Sequence, residues 1–151
     1  MGYTHYWNGQ ISSETSQALL KDTAHLLSTY HAHPPTTSSS PICGRLGTGD
    51  PTLTSTVICL NGDESEGQAH EPFELDISGA HIRFRFCKTA RKHYDDVVCA
   101  VLLRCLYYNP HPAFEVSSDG SWEEWNGGRE LYFKAFGVEA VMPETMTPSW
   151  G

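Results

Sequence analysis

Five short segments carry the alternating pattern, or the β-branched and aromatic content, that predicts β-strands. They are YTHYW near the N-terminus, then TSTVICL, PFELDI and HIRFRF, and finally AFEVSS. The alternation is strict in HIRFRF, where Ile82, Phe84 and Phe86 are expected to face the core. Arg83 and Arg85 alternate with them and are expected to face solvent. Asn-Gly and Ser-Gly pairs between the segments predict turns and a largely antiparallel arrangement.

Three longer segments place hydrophobic residues at helical spacing. The first is capped by Ser12 or Ser13 and is predicted to run to about Tyr30. YDDVVCAVLLRCLYY is the most apolar segment of the chain and predicts a central buried helix. The third, SWEEWNGGRELYFKAFG, starts with a capping box formed by Ser121 and Glu124, and its Gly-Gly pair predicts a weak point in the middle of the helix.

The order of these elements predicts the fold class α+β. We expect a single compact domain over residues 1–140, with a small, mostly antiparallel sheet and about three helices packed on it. Residues 31–55 are rich in Pro, Ser, Thr and Gly and predict a long exposed loop. Residues 141–151 predict a frayed tail.

Net charge, apolar content and cysteine count limit the classes of partner and the cellular compartment that we expect. A formal net charge of −8 argues against nucleic acid and anionic membranes as partners, because both draw on a dominant positive field. No apolar run approaches the roughly 18 residues of a membrane span. The five cysteines are odd in number and include no CxxC pair, which indicates reduced thiols. We therefore expect a soluble, cytoplasmic protein with no membrane and no nucleic-acid partner.

Three motifs resemble those of a small family of actinobacterial, phage and fungal proteins to which no activity is assigned. They are THYW, FCKTARK-x-YD and SSDG-x-W, and the resemblance covers most of the chain except residues 31–55. In that family proline commonly occupies the position of His93, which would start the central helix there. The resemblance implies places to look and no mechanism.

Positive charge collects just before the central helix, where five of the ten basic residues fall between Arg83 and Lys92. Lys88, Arg91 and Lys92, with the Thr89 hydroxyl and the free N–H groups of a helix N-terminus, predict a site for a small anion. The alternative is a solvated surface, in which Arg91 and Lys92 pair with the acids four residues later.

Two tryptophans, Trp7 and Trp122, are further candidates for ligand contact, by stacking on a bound molecule. Core packing is the alternative for both.

Candidate catalytic residues flank the same segment. Cys87 is a candidate nucleophile, because a helix N-terminus and cationic neighbours are expected to lower the pKa of its thiol; the alternative is a packed structural thiol. His5 with Asp95 or Asp119 is a candidate general acid–base pair. Lys88 and Tyr94 complete this candidate set.

Histidines at positions 25, 31 and 33 and Cys43 provide only one pair at metal-ligand spacing, so neither a metal nor another cofactor is predicted.

Together these observations predict a protein that binds a small anionic ligand at the loop before the central helix, with an enzyme using acid–base chemistry as one form of that function. The alternative is a non-catalytic interaction protein whose acidic surface docks a cationic partner.

Overall fold

The computed structural model describes residues 3–34 and 40–146. Its α+β class is the predicted one, but the six strands divide between two sheets of three strands each in the described part of the chain. The elements are β1 (Thr4–Gly9), α1 (Ser16–Ala32), β2 (Thr52–Leu53), β3 (Val57–Leu60), β4 (Phe73–Asp76), β5 (Ile82–Lys88), α2 (Asp95–Tyr108), β6 (Phe114–Ser118) and α3 (Asn126–Phe136). None of the described helices has the length and apolar character needed to span a membrane.

Both sheets are antiparallel. The first has the order β5-β1-β6, and the second has the order β2-β3-β4. In the first sheet His5 stands opposite Cys87 on one side and Ser118 on the other, so these three residues share its inner face. Strand β5 is an edge strand of this sheet, paired only with β1 among the described strands.

Helix α2 is the buried centre of the molecule, as the sequence predicts. It packs against α1, α3 and β6, and the run from Val97 to Leu103 is buried without interruption. The Gly-Gly pair, expected to weaken α3, instead lies in the first turn of that helix. A β-carbon at Gly128 would stand 2.5 Å from Cβ of Cys99, so glycine allows α2 and α3 to approach closely there.

The helix starts differ in detail from the prediction. Helix α1 begins at Ser16, with Thr15 at the N-cap, rather than directly after Ser12 or Ser13. The Ser12 hydroxyl instead accepts a hydrogen bond from the N–H of Glu14. The capping box is confirmed: Ser121 Oγ accepts the N–H of Glu124, and Glu124 Oε1 accepts the N–H of Ser121. A 3₁₀ turn over residues 123–125 lies between this box and α3.

Two segments predicted to be loose are partly packed. Residues 35–39 of the predicted exposed loop lie outside the described residues, but Ile42 and Cys43 are buried, and Cys43 forms a β-bridge with Asn61. In the predicted frayed tail Met146 belongs to the core, whereas Val141, Glu144 and Thr145 are exposed, and residues 147–151 lie outside the described part.

Strand β5 overturns the prediction that its phenylalanines face the core. Phe84 and Phe86 are 57% and 48% exposed. The register explains the difference: Arg85 stands opposite Trp7 and Ile82 opposite Gly9, so β5 has one more residue than β1 over this stretch. Such a bulge reverses the alternation, which leaves Ile82 facing inward and turns the two aromatic rings outward.

Candidate functional site

The inner face of the first sheet holds a buried polar network centred on His5. The imidazole is fully buried, with Nε2 2.6 Å from Asp95 Oδ1 and Nδ1 2.8 Å from Ser118 Oγ. Strand β1 supplies the histidine, the first turn of α2 the aspartate and the end of β6 the serine. Of the two aspartates predicted as partners of His5, the structure therefore selects Asp95.

The hydrogen bonds of Ser118 fix which nitrogen of His5 carries the proton. Ser118 Oγ accepts the backbone N–H of Gly120 at 2.9 Å and the indole N–H of Trp125 at 3.1 Å. A hydroxyl has two lone pairs and one proton, so both lone pairs are used and the O–H must donate to Nδ1 of His5. The imidazole is then protonated at Nε2, which donates to Asp95.

Two further donors hold the carboxylate of Asp95. The buried Thr89 hydroxyl donates to Oδ1 at 2.5 Å, and the thiol of Cys99 lies 3.7 Å from Oδ2. Burial, and then the proximity of Asp95, raises the pKa of Cys99 well above its ordinary value, so this residue is a neutral thiol. The rings of Tyr3 and Trp125 pack edge-on against His5, each 5.1 Å away between centroids.

The order Ser118, His5, Asp95 has the connectivity of a nucleophile, its base and an orienting acid. Both lone pairs of the serine oxygen already accept N–H donors, so neither is directed at a substrate. Two cavities, of about 380 and 570 Å³, lie beside α3 and the segment after it, and no member of the network lines either one. The arrangement fastens the start of α2 to β1 and β6.

The same cluster is the one group in the described chain with metal-ligand potential. Three potential ligand atoms lie within 4.8 Å of one another, one from each of His5, Asp95 and Cys99. A metal ion needs an unprotonated imidazole nitrogen and a thiolate. The hydrogen bonds put a proton on Nε2, and the raised pKa keeps one on sulfur. In this hydrogen-bonded form both atoms carry protons, so a metal ion would bind here only with the release of both.

Cys87 and Tyr94 are buried beneath the loop that was predicted to be the site. The Cys87 thiol donates to the carbonyl of Glu71 at 3.4 Å, and the Tyr94 hydroxyl donates to the same carbonyl. Burial raises the pKa of Cys87 to about 12, which is the opposite of the lowered pKa expected from the sequence. Burial is also the first cause of a raised pKa at Tyr94. Both residues pack the interior.

The predicted anion site before α2 does not bring its donors together. The Thr89 hydroxyl is committed to Asp95, and the first turn of α2 already holds two carboxylates. Arg91 lies before the helix with a positive φ of 59°, and its predicted i,i+4 pairing with Asp95 is replaced by other partners for both residues. Its guanidinium stacks on Tyr3 at 3.9 Å and pairs with Glu124 at 3.0 Å.

The remaining predicted residues are dispersed. Trp7 is buried against Phe73, and Trp122 is mostly buried. Asp119 is exposed and accepts hydrogen bonds from the Thr4 N–H and the Tyr6 hydroxyl, away from His5. No salt bridge joins Lys88 or Lys92 to another residue of the described chain.

The outer face of the same sheet carries a second candidate site that was not predicted from the sequence. The rings of Tyr6 and Phe84 are stacked at 5.9 Å with 27° between their planes, and Phe84 lies 6.1 Å from Phe86. Lys88 shares their side of β5 by strand alternation. We call Tyr6, Phe84, Phe86 and Lys88 the aromatic–cationic face. Arg83 and Arg85 are exposed on the same edge strand, where Arg85 alternates with the rings and, opposite Trp7, projects from the other side of β5.

The comparisons with known proteins identify no relative. No protein-family model matches the chain, and neither the curated proteins nor the solved structures contain a match.

Proposed function

We propose that this protein binds an anionic ligand on the aromatic–cationic face, as a binding protein rather than an enzyme. The observation that carries the proposal is the set of exposed cations along the edge strand β5, Arg83, Arg85 and Lys88, of which Lys88 lies on the side of the exposed aromatic rings and Arg85 on the other side. The segment from Arg83 to Lys92 contains no acidic residue, although the whole chain has a net charge of −8. A local positive field on an acidic protein favours a negatively charged ligand at that place.

The contacts of the other four arginines support this choice of surface, since Arg129 is held by the carbonyl and the ring of Trp122 and the remaining three are paired with acids. Arg45, Arg91 and Arg104 each form a salt bridge, to Glu74, Glu124 and Asp22 respectively. Arg83 and Arg85 form none with the described residues and are exposed. Their donors are therefore available to a ligand without the loss of an existing ion pair.

Exposed aromatic rings point to the same face. Scattered exposed apolar side chains are ordinary, but contiguous ones commonly mark binding surfaces. Phe84 and Phe86 are adjacent on the sheet and stay about half exposed. Charge and apolar area together favour a ligand that has both an anionic and an aromatic or apolar part.

The network around His5 favours a structural role over catalysis. All three hydrogen-bonding positions of the Ser118 oxygen are occupied, so an attacking lone pair would require the loss of an N–H donor. A fluorophosphonate probe separates the two classes of function. We expect no covalent labelling of Ser118; labelling that disappears in His5→Gln would replace this proposal with a serine hydrolase.

Thermal unfolding with sodium tripolyphosphate tests the anion site. A ligand that binds only the folded state adds about 2.7 kcal/mol at one hundred times Kd, which should raise the Tm measurably above that in sodium chloride of equal ionic strength. The triple variant Arg83→Gln, Arg85→Gln, Lys88→Gln should lose this shift. The control Lys21→Gln, Lys134→Gln removes two exposed charges elsewhere and should keep the shift. A full shift in the triple variant would overturn the proposal.

A further inference from the structure

We infer that the ligand of the aromatic–cationic face is a single-stranded nucleic acid, an inference that rests on the proposed function. Tyr6, Phe84 and Phe86 form a continuous set of rings on an open sheet face. Unpaired bases stack on such rings, and stacking tolerates any base because every base has a π-face. Three rings on neighbouring strands offer stacking positions for two or three bases.

The shape of the face favours an extended ligand. Small molecules are held mainly in concave sites, which bury most of their surface. No residue of the face lines either of the two cavities beside α3. A polymer that lies across an exposed sheet gains contact area by length instead of by enclosure. The seven residues of β5 provide such a surface.

The positive charges on β5 favour a partner with a phosphate backbone. Arg83 and Arg85 are exposed on its edge, and Lys88 lies at its C-terminal end, where the Glu71 carboxylate accepts the Lys88 backbone N–H. Phosphates that follow the edge of β5 would meet these long side chains at that edge, with Arg85 approaching from the other side of the strand, while the bases meet the rings. A second copy of the chain paired through β5 would bring the same arginines together, which like-charge repulsion opposes. Strand β6, on the other side of β1, carries Glu115 and is followed by Asp119, which limits phosphate contact to the β5 side.

The net charge of the chain led us to expect no nucleic-acid partner, and the distribution of charge changes that expectation. The counterion-release effect depends on the phosphates that are contacted, not on the net charge of the protein. With three contacting cations, the slope of log K against log salt concentration for a single strand should be about −2.

Fluorescence anisotropy with labelled dT12 and rU12 oligonucleotides tests the inference. Removing one ring, as Phe84→Ala or as Phe86→Ala, should weaken binding about fivefold or more, which corresponds to the loss of one stacked base. Phe133→Ala removes a ring of similar exposure, 52%, from α3 and should leave binding unchanged. Arg83→Gln with Arg85→Gln should weaken binding and make the salt slope less negative.

A duplex of the same length should bind more weakly than the single strand, since its bases cannot reach the rings. Phe84→Trp keeps a stacking ring, so it should retain affinity and show quenched indole emission on binding. Equal affinity for duplex and single strand, or unchanged affinity in both phenylalanine variants, would overturn the inference.

An acidic peptide that adds a strand to the open edge of β5 is the competing occupant. Such a peptide would pair with the backbone and would not depend on the rings. Tight binding of a Glu-rich β-forming peptide without oligonucleotide binding would overturn the nucleic-acid inference in favour of that partner. A tripolyphosphate shift that requires the β5 cations, without oligonucleotide binding, would overturn this inference alone. If the protein shows neither a tripolyphosphate shift nor oligonucleotide binding, the proposed function is overturned as well.

Discussion

The two faces of the sheet β5-β1-β6 differ in how their side chains are partnered. On β1, His5 points inward into a network in which every polar atom of Ser118 has a partner, while the next residue, Tyr6, points outward to an exposed aromatic row. The polar residues that resemble a catalytic set are buried and satisfied. The aromatic residues that resemble a core are exposed and border unpaired cations.

This inversion teaches that residue type alone does not separate structural from functional roles. A buried polar group must be hydrogen-bonded to be tolerated, so a complete network is the expected form of a structural polar core. An exposed ring has no such requirement and gains only when a partner covers it. The exposed side of the sheet, where the rings are uncovered, is therefore the place to look for ligand binding.

The largest expected effect comes from breaking the buried network at Asp95. Asp95→Ala leaves the N–H of His5 and the hydroxyl of Thr89 without an acceptor in the interior. We expect the free energy of unfolding to fall by about 3 kcal/mol or more, a large part of a typical domain's stability. The free energy of unfolding is measured by urea titration, with far-UV circular dichroism as the signal.

The matched control is Asp119→Ala, which removes an exposed carboxylate that also accepts two hydrogen bonds. Water can replace an exposed acceptor, so its cost should stay near 1 kcal/mol. Equal losses in the two variants would show that the network around His5 is no more important to stability than a surface contact, and the contrast between the two faces would fail.

The second largest effect is expected at Asp96, whose titration should make the free energy of unfolding depend on pH. Burial first, and then the nearby charges of Asp95 and Glu130, raises the pKa of Asp96 to about 6 from its ordinary value of 3.8. A raised folded-state pKa stabilises the protein fully below about pH 4, and this contribution is lost as the pH rises through 6. Asp96→Asn should therefore be more stable than the wild type at pH 8, by about 2 kcal/mol.

Below pH 4 the two proteins should have similar stability, because Asp96 is then neutral in both the folded and the unfolded state. Glu14→Gln, an exposed acidic residue before α1, should leave the wild-type pH profile unchanged. If Asp96→Asn is no more stable at pH 8, the aspartate is not destabilised by its buried position.

The fold class and the central helix could be predicted because they depend on local patterns. The apolar run of α2 and the Ser121–Glu124 capping box are visible in sequence, and both are confirmed. The division into two sheets depends on long-range pairing, such as His5 with Ser118, which a single sequence does not encode locally. The packing of Met146 likewise depends on a distant surface.

The sites were less predictable, for two physical reasons. The bulge in β5 shifts the alternation by one residue, so a strict pattern placed Phe84 and Phe86 on the wrong face. Nothing in the side-chain pattern marks a bulge. The pairing of His5 with Asp95 was among the predicted pairs, but Ser118 was missed, because its role arises only from the N–H donors that converge on it.

The smallest expected effect is on the stability of variants at the aromatic–cationic face. Phe84 and Phe86 contribute cross-strand contacts on an exposed sheet surface, which are worth about 0.2–1 kcal/mol each, so either one changed to Ala should lower the free energy of unfolding by less than about 1 kcal/mol. Phe114→Ala, at a fully buried phenylalanine of the same sheet, should cost about 3–5 kcal/mol. Denaturant titrations of the three variants, with m-values compared, provide the measurement. A loss at Phe84 as large as that at Phe114 would mean that the ring belongs to the core, and loss of ligand binding in Phe84→Ala would then reflect unfolding. A small loss leaves a folded variant in which binding can be measured without that ambiguity.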